Sequence, residues 1–149
     1  MNKSLLTAYF KVGNQLLREE KFEQAVINYT KVVEITPHYE AYCNMGIALK
    51  NLGLLNEAII AYQQAIKLKP KRAETYNNIA NVYATAGDTD KAIKYYERAI
   101  NIKSDYAIAY DNLIELCLSL KKIKQAKALQ AEVNKIIRKK NMITAHSLS

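Results

Sequence analysis

At an offset of about 34 residues, a length typical of stacked repeat units, this chain matches itself. Gly13, Leu16, Ala25, Tyr29, Val32 and Pro37 reappear one period later as Gly46, Leu49, Ala58, Tyr62, Ala65 and Pro70. Tyr42, Gly53, Ala58, Tyr62 and Ala65 return after the next period as Tyr76, Gly87, Ala92, Tyr96 and Ala99, and a fainter fourth copy adds Tyr110, Leu113 and Ala126. A period of this length marks an array of small supersecondary units. None can bury its apolar face alone, so stacked neighbours supply the core. With four glycines and two prolines in 149 residues, a fold of many β-turns is excluded and long helices are favoured. Ala58, Ile59, Tyr62, Ala65 and Ile66 form an i, i+3, i+4, i+7 stripe, the mark of an amphipathic helix. The pattern predicts eight helices near 3–18, 22–35, 39–52, 56–68, 73–86, 89–102, 107–119 and 123–139.

The recurring residues have packing reasons. Gly13, Gly46 and Ala80 keep the first helix of each unit (helix A) close to the second (helix B), where a larger side chain would cost roughly 1–3 kcal/mol of overpacking. Gly53 and Gly87 follow helix A, where the chain reverses through φ > 0. Pro37 and Pro70 stop helix B. The motif Tyr42-x2-Met45-Gly46-x2-Leu49, then Ala58-x3-Tyr62-x2-Ala65 and Pro70, resembles the tetratricopeptide repeat, and Tyr76-x2-Ile79-Ala80-x2-Tyr83 with Ala92-x3-Tyr96 repeats it. The resemblance covers about Thr7 to Arg138. It implies an all-α, right-handed solenoid forming a single domain over 1–140, with repeats at about 6–38, 39–72, 73–106 and 107–140. The last repeat departs from the pattern at Ile114, Lys121, Gln130 and Arg138 and is expected to act as a cap. Residues 141–149 are expected to form a flexible tail.

The A helices of such an array line its concave face. The A-helix residues not needed for packing against helix B include Lys11, Asn14, Asn44, Ile47, Asn77, Asn78, Asn81 and Asn112. Asn44, Asn78 and Asn112 recur once per period. A carboxamide offers two donors and an acceptor oxygen, enough to pair with the N–H and C=O of an extended peptide. Some members of the resembled family hold a bound strand with such a ladder, so these residues are the candidate peptide-binding site. Members that clamp a chaperone's C-terminal carboxylate use two lysines, an arginine and two asparagines. Here Asn14 and Asn44 stand at the asparagine positions, but Phe10, Glu74 and Asn78 replace the cations. That argues against a chaperone-tail ligand.

Charge is uneven along the chain. Residues 121–149 carry 8 of the 22 Lys and Arg and one acid, Glu132, of the 14. This basic helix could meet an acidic partner or, peripherally, an anionic membrane, but no aromatic residues interleave with its lysines to stack bases, so nucleic acid is not expected. Self-association through an exposed end of the array is a further way to use the surface. His38 and His146 are far apart, and Cys43 and Cys117 form no CxxC pair. No metal, cofactor, catalytic motif or enzymatic activity is therefore expected. No stretch fits a secretory leader or a membrane span, and a cytoplasmic or organelle-interior location is expected. The expected function is a non-enzymatic adaptor, co-chaperone or assembly factor.

Overall fold

A computed structural model describes residues 2–147 of the chain. Its described residues form eight helices and no strand: α1 Asn2–Arg18, α2 Phe22–Ile35, α3 Tyr39–Asn51, α4 Leu55–Leu68, α5 Ala73–Thr85, α6 Thr89–Ile102, α7 Ala107–Ser119 and α8 Ile123–Ser147. The ends agree with the expected ones to one residue, with one exception. The last helix runs on to Ser147, where the sequence reading stops it near 139 and begins a tail at 141. No glycine or proline follows Gly87 to end it. Lys140 Nζ also lies 2.9 Å from an Asp105 carboxylate oxygen, tying the distal part of α8 to the α6–α7 turn. Residues 148–149 of the expected tail lie outside the described residues.

One turn closes all four A helices. The N–H groups of Lys21, Leu54, Asp88 and Lys122 donate to the carbonyls of Leu16, Leu49, Tyr83 and Cys117 at 2.8–2.9 Å, a 6→1 bond that satisfies an otherwise orphaned helix-end carbonyl. The residue before each must adopt φ > 0. Gly53 and Gly87 do so at 75° and 82° without strain, whereas Glu20 and Lys121 are held at 56° and 58°. Two helices, α3 and α6, gain side-chain caps at their starts. His38 Nδ1 accepts from the Ala41 N–H and Asp88 accepts from the Lys91 N–H, each at 3.2 Å.

Each A helix packs on its own B helix, α3, α5 and α7 pack also on the B helix before them, and α1, α3, α5 and α7 approach one another in sequence, while the backbones of α2, α4, α6 and α8 stay more than 8 Å apart, Cα to Cα. Helices that approach on one side and fan apart on the other make the array curve, with the A helices inside. Its core is built on the helix-B tyrosines. Tyr29, Tyr62 and Tyr96 are 0%, 1% and 3% exposed. A Cβ on Gly13 would come within 2.8 Å of the Tyr29 ring, and one on Gly46 within 2.6 Å of the Tyr62 ring. The glycines are therefore a consequence of the rings. Tyr76 and Tyr110 fill the clefts between units, and their hydroxyls donate to the Pro70 and Ser104 carbonyls at 2.8 and 3.3 Å.

Candidate functional site on the A-helix face

The asparagines of the A helices meet across the junctions between units. Asn14 Oδ1 in α1 accepts from the Tyr29 hydroxyl at 2.8 Å and from Asn44 Nδ2 in α3 at 3.0 Å. The same arrangement returns between α5 and α7. There Asn81 Oδ1 accepts from the Tyr96 hydroxyl and, at 3.3 Å, from Asn112 Nδ2. Asn112 also donates to Asn77 Oδ1 at 3.0 Å. Asn77 is 3% exposed, which corrects its placement on the groove surface. It is an acceptor buried at the α5–α7 contact. Burial raises the phenol pKa of Tyr29, Tyr62 and Tyr96 above its ordinary value, for Tyr96 to about 12, so each hydroxyl remains a donor at neutral pH.

Between α3 and α5 the clasp is missing. Ile47 occupies the position that Asn14 holds one period earlier and Asn81 holds one period later. An isoleucine offers nothing to accept the Tyr62 hydroxyl or the Asn78 carboxamide, and neither forms a hydrogen bond within the chain. Among the described residues no buried side-chain nitrogen or oxygen lacks a partner, so neither group is wholly sealed from solvent, although Tyr62 as a residue is only 1% exposed. With Ile47, Lys50, Asn51 and Asn81 they line a depression of about 190 Å³. Lys50 and Asn81 also border a second one of about 500 Å³, which runs on past Thr85 to Asn112 and Glu115. The two join into a furrow across α3, α5 and α7, apolar at Ile47 and polar on either side. Lys11 stands exposed on α1, outside both depressions. Of the candidate residues, Ile47, Asn78, Asn81 and Asn112 are thus brought together, and Asn14 and Asn44 are paired with each other.

The sequence reading passed over Tyr62 and Lys50 as groove residues. Overlaying the repeats at their period would have exposed the Tyr62 hydroxyl, because Ile47 interrupts an asparagine column whose other members accept from the equivalent tyrosine. The remaining chemistry-bearing side chains serve the packing. His38 caps α3 and lies 4.7 Å, ring to ring, from Phe10. Cys43 Sγ lies 3.8 Å from Thr75 Oγ1, which in turn is 2.7 Å from the Tyr39 hydroxyl. Burial pushes the thiols of Cys43 and Cys117 up, away from the reactive thiolate. Among the described residues no cluster of His, Cys, Asp and Glu could hold a metal, and no helix is long and apolar enough to cross a membrane.

Comparison with known proteins agrees with this architecture. Models of the tetratricopeptide repeat match residues 6–39, 40–105 and 72–139. The crystal structure of MamA superposes with a TM-score of 0.84 at 26% identity, covering 92% of this chain and 81% of that one. The first such domain of Spaghetti (RPAP3), bound to the HSP90 peptide SRMEEVD, gives a TM-score of 0.74 at 19% identity, with 79% and 94% covered, a likeness of fold alone. A curated relative, the TPR repeat-containing thioredoxin TTL4 of Arabidopsis thaliana, is 28% identical over 74 residues, 49% of this chain. The chain spans 11% of the length of that relative.

Proposed function

Since the chain belongs to the tetratricopeptide-repeat family, whose fold is a protein–protein interaction scaffold, we propose that its A-helix furrow holds an extended segment of a partner protein, as in an adaptor, co-chaperone or assembly factor. The observation that carries this reading is the open α3–α5 junction. Tyr62 and Asn78 present a hydroxyl and a carboxamide that the fold leaves without partners, while the flanking junctions close the same groups on themselves. A peptide strand lying across α5 can accept from the Tyr62 hydroxyl, exchange hydrogen bonds between its amide and Asn78, and set an apolar side chain on Ile47. Lys50, where the two depressions join, and Glu115, toward the α7 side, carry opposite charges and favour one strand direction. A chaperone-type carboxylate terminus fits poorly. Phe10 packs between His38 and Tyr29, and Glu74 adds a like charge where a cation would be needed.

The test compares affinity purification from native lysate by the wild type and by Tyr62→Phe/Asn78→Ala, with recovery read by quantitative mass spectrometry. The double variant keeps the buried ring, so its melting temperature should be unchanged. A partner retained by the wild type and lost by the variant supports the furrow. Equal recovery by both would overturn it.

A further inference from the structure

On the opposite side of the array, the backbones of α4 and α6 stay apart and a cleft of about 520 Å³ opens between them, within the roughly 300–1,000 Å³ range of ligand sites. Its floor is aromatic. The rings of Tyr76 and Tyr95 stack at 6.3 Å, and Tyr95 stacks in turn on Tyr83 at 5.3 Å. Its walls are cationic: Lys67 from α4 faces Lys94 and Arg98 from α6, and no carboxylate lines it. All three cations are exposed and none enters an ion pair. Arg98 lies 5.4 Å above the Tyr76 ring, which orients its guanidinium over the cleft.

The neighbouring clefts of the same chain show that the fold does not require these residues. At the repeat-equivalent positions Lys67 is replaced by Glu34 and Asn101, Lys94 by Ile60 and Ala128, and Arg98 by Gln64 and Glu132. Tyr95 is replaced by Ala61 and Leu129. Three cations over a tyrosine floor therefore belong to the α4–α6 cleft alone among the three. An adjoining depression extends it past Lys71, with Glu97 the acid on that side.

We propose that this cleft is a second protein-docking site, separate from the A-helix furrow, and that its occupant is an acidic segment of a partner protein. Carboxylates of such a segment pair with Lys67, Lys94 and Arg98, where a concave wall concentrates their field, and an apolar side chain between them rests on Tyr95 and Ile66. A flat anionic surface could engage only the rims.

The probe is a fluorescein-labelled peptide of alternating glutamate and leucine, with its glutamine counterpart as control, followed by anisotropy. The key variant transplants the α6–α8 residues, Lys67→Asn/Lys94→Ala/Arg98→Glu, which this backbone already accommodates. A variant with the same change in net charge, Lys124→Asn/Lys127→Ala/Arg138→Glu, controls for long-range attraction. The glutamate peptide should bind the wild type and the α8 variant alike, lose at least about tenfold in affinity on the cleft variant, and exceed the glutamine peptide throughout. Tyr62→Phe/Asn78→Ala should leave this binding unchanged, which separates it from the furrow. Equal loss on the two charge variants, equal binding of the two peptides, loss on Tyr62→Phe/Asn78→Ala, or no binding by the wild type would each overturn the proposal.

Discussion

At the α1–α3 and α5–α7 junctions an asparagine oxygen collects a tyrosine hydroxyl and a neighbouring carboxamide. At α3–α5 Ile47 stands in that position, and the Tyr62 hydroxyl and the Asn78 carboxamide have no partner within the chain. In all three places a buried helix-B tyrosine ring lies under helix A. Where the outer junctions carry an asparagine acceptor the middle one carries Ile47, and two polar groups lose their partner. A repeat protein can in this way keep its packing code while changing surface chemistry at one junction, since the ring holds the helices together and the hydroxyl only touches the groove. The α4–α6 cleft follows the same logic on the other side, with Lys67, Lys94 and Arg98 placed where neighbouring clefts carry neutral or acidic residues.

The comparison breaks most severely if the rings themselves are displaced. Gly46→Val would drive a branched side chain into the Tyr62 ring, which already lies 2.6 Å from where a Cβ would sit, and should cost about 3 kcal/mol in urea denaturation. A loss as small as that of an exposed substitution would mean that the glycine is not dictated by the ring. Asn81→Ile copies the middle junction into the outer one. It strips the acceptor from Tyr96 and the longer of the two acceptors from Asn112, which keeps Asn77, and should lower stability by about 2 kcal/mol. An unchanged midpoint would remove the stabilising role given to the clasp.

A smaller effect of opposite sign is expected where the turns differ. Lys121→Gly relieves a left-handed backbone that Gly53 and Gly87 adopt freely in the inner repeats, and should raise stability by about 1 kcal/mol. No gain would show that the fourth turn carries no strain.

The repeat period made the fold readable from sequence because each supporting residue recurs with the same neighbours. Helix ends followed from Gly53, Gly87, Pro37 and Pro70, which act locally. The end of α8 did not follow, because nothing in 123–147 breaks a helix and the contact of Lys140 with Asp105 joins residues far apart in sequence. The site was half readable. The asparagine column was visible, but whether a carboxamide faces solvent or a neighbour depends on bonds between residues some 30 positions apart. Asn77 shows the difficulty. It sits beside Asn78 in sequence, and one helical step turns it into the α5–α7 contact. The cationic cleft escaped for a related reason. Lys67, Lys94 and Arg98 lie on two helices whose backbones stay apart, and only the curvature of the array sets them across from one another.

The most direct measurement is urea denaturation of three single variants, Tyr29→Phe, Tyr62→Phe and Tyr96→Phe, each of which removes one hydroxyl and keeps the ring. Tyr29→Phe and Tyr96→Phe should each lose about 1 kcal/mol, because Asn14 and Asn81 lose a donor, while Tyr62→Phe should match the wild type within a few tenths. A Tyr62→Phe loss as large as the other two would mean that its hydroxyl is bonded inside the fold, and that the middle junction is not open to a partner.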